Sequence, residues 1–465
     1  MRRIIAPFLI ILFAATTLVS CLKDEDENKV LYKDTAITAF VINRMLVKKV
    51  TKSSKGEDST YVVKQSGTSF RFTIDQNRCE IQNLDSLPYG TDPTKLLISV
   101  KTEKNGIVGL KKTVGTDINT ITGNDTLDFS VPRTLVVMSP DGQNTREYVV
   151  KVNVHKQKAD DFNWTMLSTN AEMAAFKAFR AFEINGRIVA FGSDGTKTAA
   201  MQTAVGDGKE WTSVTFNFNG LLDKDAYRGI VKKGDRLYMM HAGQLMASAD
   251  GSAWDVISTP AVEKLVAASG NRLFGYDAEG NMLCSYDGVM WTADEIDSGK
   301  ELLPTTDINY SCTTLRTNND VEQVVLMGNR GTEYAADTTA VIWGRLDDRG
   351  QFATNMPWAY YETDGDGRFV MPRLADMSMT LYGDVMLAVG GKGIPPCKAA
   401  AFERIYASAD CGITWSDDAR YQLPEGIDKN ASAMALVTDG SNRLWIICAG
   451  TGQIWRGRLN RMGWQ

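Results

Sequence analysis

Chemistry needs side chains that can attack, donate or accept, and this 465-residue chain is short of the most versatile one. Its only histidines are His155 and His241, so a zinc site built mainly of imidazoles is excluded. A Ser-His-Asp hydrolase would have to use His241, because His155 stands beside a polar linker, and no Gly-x-Ser-x-Gly elbow presents a serine. His241-Ala242-Gly243-Gln244 reads instead as a tight turn. Asp364-Gly365-Asp366-Gly367 offers two carboxylates of a calcium loop but lacks the downstream glutamate, so it reads as an acidic turn. No metal and no cofactor is expected. With 56 Asp and Glu, a carboxylate pair for glycoside hydrolysis is always available, and nothing in the sequence singles one out.

Cys21 is the residue whose neighbours specify a reaction. Met1-Arg2-Arg3 and the apolar run Ile4 to Val19 form the charged and hydrophobic regions of a secretory signal. The run ends in Leu18-Val19-Ser20-Cys21, which resembles the bacterial lipobox and implies acylation of Cys21. Residues 1–20 are then a signal peptide and 21–33 a lipidated acidic tether. Lys23-Asp24-Glu25-Asp26 is similar to the surface-export signal of Bacteroidetes lipoproteins, although a periplasm-facing anchor would look alike. The expectation is an outer-membrane protein held to the membrane by its N-terminal lipid. Lys and Arg number 51, giving a net charge of -5, so no basic face for nucleic acid arises. Cys79 precedes the larger domain and five cysteines fall within it. They read as buried fillers, with at most an occasional bridge such as Cys397 to Cys411.

The elements that would position a site announce themselves by repetition. Ser248-Ala249-Asp250-Gly251-Ser252-Ala253-Trp254 recurs as Ser285-Tyr286-Asp287-Gly288-Val289-Met290-Trp291, and a longer copy runs from Ser408 through Asp410 and Gly412 to Trp415. A degenerate copy holds Asp207 and Trp211. Each follows a short apolar run and opens a new one, so it reads as strand, turn, strand. Asp accepts backbone N–H bonds inside the turn, Gly takes the positive-φ position, and Trp folds over the next sheet. Such repeats point to a β-propeller over residues 162–465. Six apolar runs after Gly or Asn turns, at Arg187, Arg236, Arg272, Val324, Asp384 and Arg443, give six blades, with seven as the alternative. Phe162-Asn163-Trp164-Thr165-Met166-Leu167 is expected to complete the last blade and hide its edge.

Ser408-x-Asp410-x-Gly412-x-Thr414-Trp415 matches the Asp-box of sialidase-type propellers, of which the other copies are shorter relatives. That resemblance implies a structural role for Asp207, Trp211, Ser248, Asp250, Trp254, Ser285, Asp287, Trp291, Ser408, Asp410, Gly412 and Trp415. It also implies turns between the two outer strands of a blade, away from any active site. The sialidase chemistry itself is not matched: Arg-Ile-Pro is missing, Met371-Pro372-Arg373 has the wrong order, and Tyr361 and Glu362, adjacent in a strand, would face opposite ways.

Residues 34–156 alternate apolar and polar runs and end in Val136–Val154, two strands around a Ser139-Pro140-Asp141-Gly142 turn. This is similar to the closing hairpin of cadherin-like or immunoglobulin-like domains, so an all-β chain is expected, a β-sandwich spacer followed by the propeller. As a whole the chain resembles an uncharacterised family of Bacteroidetes surface lipoproteins, a domain-of-unknown-function class. The free rim carries Tyr227, Arg228, Tyr310, Arg330, Tyr334, Arg368, Arg373 and Lys392, aromatic and cationic residues suited to sugar rings and acidic groups. The expected function is binding of a glycan or peptide. The alternatives are a glycoside hydrolase or lyase using a carboxylate pair at the mouth, and a structural subunit of an outer-membrane complex.

Overall fold

The computed structural model describes residues 32–463 apart from 53–56, 116, 122, 124–125, 351–355 and 363–367. Cys21, the signal segment, the start of the tether and the Asp364–Gly367 run lie outside the described residues. Among those described, no helix is long and apolar enough to cross a membrane, and no group of three or more His, Cys, Asp or Glu could hold a metal. The chain divides into two compact units between Lys158 and Ala159.

The first unit is two sheets around one core. Strand Ile37–Lys52 serves two partners: its first half pairs with Leu96–Thr102 and its second with Asp58–Gln65, with an irregularity between Ile42 and Arg44 where the partner changes. Thr126–Leu127 completes this four-stranded sheet. The other sheet has six strands in the order Phe72–Asp75, Glu80–Asn83, Thr145–Lys151, Arg133–Met138, Ile107–Lys111, Ile118–Thr120. The expected hairpin is present, Thr145 opposite Met138, but its second strand runs parallel to Glu80–Asn83, so this sheet is mixed. Alternation decides what is buried: Tyr148 and Val150 point inward while Glu147 and Lys151 face out. Tyr148 meets Ile37, Phe40, Ile42, Leu135 and Val137 in the shared core, and its buried hydroxyl donates to Gln76 Oε1 at 2.7 Å.

The second unit holds six four-stranded antiparallel sheets among the described residues, arranged as propeller-like blades. Their first strands are Ala178–Ile184, Val231–Lys233, Lys264–Ala268, Thr306–Leu315, Ser378–Tyr382 and Ala433–Thr438. Their second strands, Arg187–Ser193, Arg236–His241, Leu273–Tyr276, Asn318–Asn329, Val385–Val389 and Leu444–Ala449, coincide with the six apolar runs. Arg187–Ser193, Leu273–Tyr276, Val385–Val389 and Leu444–Ala449 are nearly all buried, which is why they read as continuous apolar stretches, whereas Arg236–His241 alternates buried and half-buried positions. The sixth sheet takes its outer strand from the other end of the unit: Phe162–Thr169 pairs antiparallel with Gln453–Leu459, Phe162 opposite Leu459. The edge that Gln453–Leu459 would expose is thereby paired.

The four repeated turns join the third and fourth strands of the first, second, third and fifth sheets. In the second sheet Asp250 Oδ1 accepts from the N–H groups of Ser252 (2.8 Å) and Ala253 (2.9 Å), Ser248 Oγ accepts from Gly251 N (2.8 Å), and Trp254 Nε1 donates to Gly251 O (3.1 Å). The Asp287, Asp410 and Asp207 copies repeat the Asp and Trp bonds. Gly251 has φ +80° and Gly412 φ +87°, conformations that cost any other residue. A Cβ on Gly412 would stand 2.9 Å from Val325, and one on Gly208 would stand 2.5 Å from Trp445. These contacts correct one expectation, because each turn seats on the preceding sheet rather than the next. Trp254 packs against Phe191 of the first sheet, and Trp415 joins Val325, Met327 and Ile342 of the fourth. The first sheet's own turn, at Gly208, lies on Trp445 of the sixth, so the same contact that joins neighbours also joins first to last.

Cys397 and Cys411 are both free thiols, as are the other described cysteines, so the bridge considered between them is absent. Cys411 packs instead beside Tyr361 and Trp415 in the core between the fourth and fifth sheets.

Candidate functional site

Antiparallel order sorts the loops between two faces. The starts of the first strands and the turns between second and third strands share one face; the repeated turns share the other with the turns between first and second strands. On the first of these faces a cavity of about 680 Å³ opens among the first-strand starts. It is lined by Ala178 to Arg180, Tyr227 to Gly229, Glu263 to Leu265, Thr305 to Asn309, Asp376, Met377 and Ala433, and by the turn His241-Ala242.

Arg228 is at its centre. It lies in a short 3-10 turn, Ala226–Gly229, that leads into the second sheet. Its guanidinium is within 3.4 Å of a carboxylate oxygen of each of Asp225, Asp307 and Asp376, and 5.0 Å from the centre of the Tyr227 ring. Ion pairs of this length leave the carboxylates incompletely compensated, since charge-assisted bonds close to about 2.7–2.9 Å. Two of these three aspartates are set by unusual backbone. Asp307 has φ +48° and Asp376 φ +47°, and Asp307 falls where the pairing of Thr306–Leu315 with its neighbour shifts register. Such an irregularity re-aims a side chain that regular pleating would send elsewhere. Asp307 Oδ1 accepts from Asp376 N at 2.9 Å and Oδ2 from Asn329 Nδ2 at 3.0 Å, tying the fourth and fifth sheets together at the mouth.

Burial, together with the neighbouring Asp307 charge, pushes the Asp376 carboxyl above its usual range, with Arg228 only partly offsetting both. Burial lifts the Tyr227 phenol to about 12 and lowers Lys264, whose Nζ donates to Thr305 O at 2.9 Å. At the floor, Arg180 donates to the carbonyls of Arg228 (2.9 Å), Ile230 (3.1 Å) and Ile308, and burial lowers it to about 10. His241 does end a strand at a tight turn, Ala242 and Gly243 both having positive φ. Its ring lies 4.9 Å from that of Phe218 and also faces the cavity.

Of the eight rim residues expected from sequence, Tyr227 and Arg228 line this mouth. Tyr310 is deeper, in a second cavity, with its hydroxyl accepting from Lys232 N at 2.6 Å. Arg330, Tyr334 and Arg373 are together but form their own loop. Arg330 grips Asp337 with two bonds (2.8 and 2.6 Å) and stacks on Tyr334, while buried Arg373 donates to the carbonyls of Tyr334, Arg330 and Gly331. Arg368 and Lys392 are exposed and line neither cavity. The insert around Lys392 acts through backbone: Ala375 N donates to Lys392 O and Gly391 N to Ala375 O, fixing the residue before Asp376. Sequence reasoning missed Asp307, Asp376, Lys264 and Arg180. The available signal was position, since three of them stand at or just before the first residues of first strands.

Comparison with known proteins places the molecule. Among solved structures, a structural genomics protein of unknown function from Bacteroides thetaiotaomicron aligns with TM-score 0.41 and 12% identity over 83% of this chain and 98% of its own. A Hadza microbial sialidase aligns with TM-score 0.39 and 10% identity over 93% and 91%. The GH93 alpha-L-arabinofuranosidase of Fusarium graminearum, solved with arabinobiose, aligns with TM-score 0.27 and 11% identity over 92% and 97%. No curated protein matches. The DUF6242 beta propeller domain matches residues 158–465 and the DUF6242 N-terminal domain matches residues 45–152. The chain therefore belongs to the DUF6242 family, an N-terminal domain followed by a β-propeller.

Proposed function

We propose that this protein is an outer-membrane lipoprotein, anchored through Cys21, whose six-bladed Asp-box propeller binds a glycan or peptide at the Arg228 mouth. The six four-stranded sheets and the Phe162–Thr169 closing strand support the blade number. The observation that carries the binding reading is the cavity of about 680 Å³, a size typical of ligand sites, with convergent polar groups at its centre. Its charge narrows the ligand. Arg180, Arg228 and Lys264 stand against Asp223, Asp225, Glu263, Asp307 and Asp376, so an acidic sugar would be repelled. Neutral hydroxyls, or a cationic group of a peptide, find acceptors there. The test is a glycan array and a basic-peptide array probed with full-length protein in a zwitterionic detergent, beside Asp307→Asn and Asp376→Asn variants. Binding lost in both variants supports the reading; a wild-type protein that binds nothing on either array ends it.

One observation favours a hydrolase as the second reading. Asp376 keeps its proton to higher pH than an ordinary carboxyl, as a general acid must, and the Asp307 side chain approaches the same guanidinium, so two carboxyl groups converge on one mouth. Release of reducing ends from an array-positive glycan, abolished in Asp376→Asn, would convert the first reading into this one.

A further inference from the structure

The channel bounded by the first strands continues beneath the mouth. Arg180 forms a septum across it, held by carbonyls from the second and fourth sheets, and on its far side is a second cavity of about 470 Å³. The chemistry of this chamber is unlike that above. Its wall carries the hydroxyls of Ser269, Ser311, Ser378, Thr380 and Thr438. Its charges are balanced and occupied: Lys232 Nζ is 3.3 Å from Glu183 Oε2, and Glu322 Oε2 accepts from Gly270 N at 2.7 Å. Phe182, Met379 and Leu381 add apolar surface.

Ser311 is the informative residue. It is 5% exposed, it lines this chamber, and its Oγ has no hydrogen-bond partner among the described residues. A buried hydroxyl left unpaired costs about 1–3 kcal/mol, a cost that alanine at this position would avoid. The Thr380 and Thr438 hydroxyls are 3.3 Å apart and, among the described residues, bond to each other. Ser269 Oγ is used by Asp347, Asn271 N and Arg272 N, and Ser378 Oγ accepts from Leu436 N, so the wall offers a ligand the unpaired Ser311 hydroxyl and the remaining capacity of Thr380, Thr438 and Ser378.

We propose that the chamber beneath Arg180 is a second binding site, separate from the mouth, for a neutral polyhydroxylated molecule of about one or two sugar units. Hydroxyls of the ligand complete the hydrogen bonding of Ser311, Thr380 and Thr438, and the Phe182 and Leu381 surfaces cover its C–H faces. Anionic and cationic sugars are disfavoured, because the chamber's own charges are already paired.

Saturation-transfer NMR on the full-length protein tests this with D-glucose, D-galactose and myo-inositol as neutral probes, and methyl glucuronide and glucosamine as charged ones. The expected result is transfer to at least one neutral probe and weaker transfer to both charged ones. Ser311→Val and Thr438→Val should each weaken the neutral probe about two- to tenfold, the worth of one hydrogen bond, and should do so equally in an Arg228→Ala background, where the mouth is disabled. Ser311→Ala, which adds no bulk, guards against a folding defect and should weaken it as well. Absence of transfer from all three neutral probes overturns the proposal, as does transfer insensitive to the Ser311 and Thr438 variants. Transfer abolished by Arg228→Ala assigns the probe to the mouth, which overturns the second site while sparing the first.

Discussion

Truncating the tryptophans of the repeated turns should rank them by burial, and the ranking can be worked in advance. Trp415 is 1% exposed and Trp254 3%, both wedged into the core shared with the preceding sheet. Trp291 is only half-buried, against Gly275 and the smaller second–third sheet cluster. A fully buried tryptophan cut to alanine costs about 3–5 kcal/mol from lost transfer energy and the cavity left behind. The indole N–H bond to Gly412 O at 3.0 Å, or to Gly251 O at 3.1 Å, is lost as well and adds about 1 kcal/mol. Trp291→Ala loses the same kind of bond but a smaller buried surface and opens to solvent rather than to a closed cavity, so a loss below that of Trp415, about 2–3 kcal/mol, is expected. Urea unfolding of full-length Trp415→Ala, Trp254→Ala and Trp291→Ala, followed by near-ultraviolet circular dichroism, measures the three. A Trp291 loss equal to or above that of Trp415, or a Trp415 loss below about 1 kcal/mol, would refute the packing argument.

Three further outcomes follow from the same geometry. Backbone N–H groups of Met290 and Val289 hold the Asp287 carboxyl below its usual range, and those of Glu210 and Lys209 do so for Asp207. With the folded value below the unfolded one near about 3.9, the stabilisation is complete above that pH and is lost as pH falls through the folded value. The urea midpoint should therefore hold from neutrality to about pH 5 and drop below about pH 4, with a shallower drop in Asp287→Asn; parallel profiles would refute it. A Cβ on Gly457 would stand 2.6 Å from Trp164, so Gly457→Val should push the Phe162–Thr169 strand off the sixth sheet. A loss of about 1–3 kcal/mol and new proteolytic cleavage near residues 159–170 are expected, and unchanged protease resistance would count against the closure. Asp376 titrates above an ordinary carboxyl because burial and Asp307 disfavour its charge. Binding of a ligand that donates to it should strengthen as pH rises through that value, and the pH dependence should vanish in Asp376→Asn, as read by titration calorimetry with an array-positive ligand.

What was legible in the sequence was whatever recurs or alternates. Buried second strands such as Leu444–Ala449 show as unbroken apolar runs, and the turn residues Asp250, Gly251 and Trp254 keep fixed offsets because one hydrogen-bonded loop demands all three. The closing strand showed because Phe162-Asn163-Trp164 resembles another outer strand while the sixth sheet lacked one of its own. Which neighbour a turn would rest on was not legible, because the spacing is the same for either direction around the ring. The site was hidden for a different reason. Arg330 meets Asp337, seven residues on, and Arg373 meets three carbonyls of the same loop, so a long rim loop consumed cations that composition alone assigned to a ligand. Asp307 and Asp376 carry no periodic signature, because a left-handed residue at an irregularity in a strand, or just before one, belongs to neither pattern.

Antiparallel order also explains why stability and recognition can be separated in this fold. Third strands begin at the mouth, where Ala242 lines the cavity, and end at the repeated turns, so the tryptophans that bind sheet to sheet cannot also touch the mouth ligand. The residues that shape the mouth sit instead on first-strand starts, held by Arg180 and by the Asp307–Asn329 and Asp376–Asp307 bonds. Substituting Asp376 should thus alter binding with little effect on unfolding, whereas Trp415→Ala should lower stability and leave the affinity of the folded fraction intact. A Trp415 variant that stays folded yet loses the ligand would mean that the two faces are coupled through the fourth and fifth sheets, the pair that Asp307 ties together.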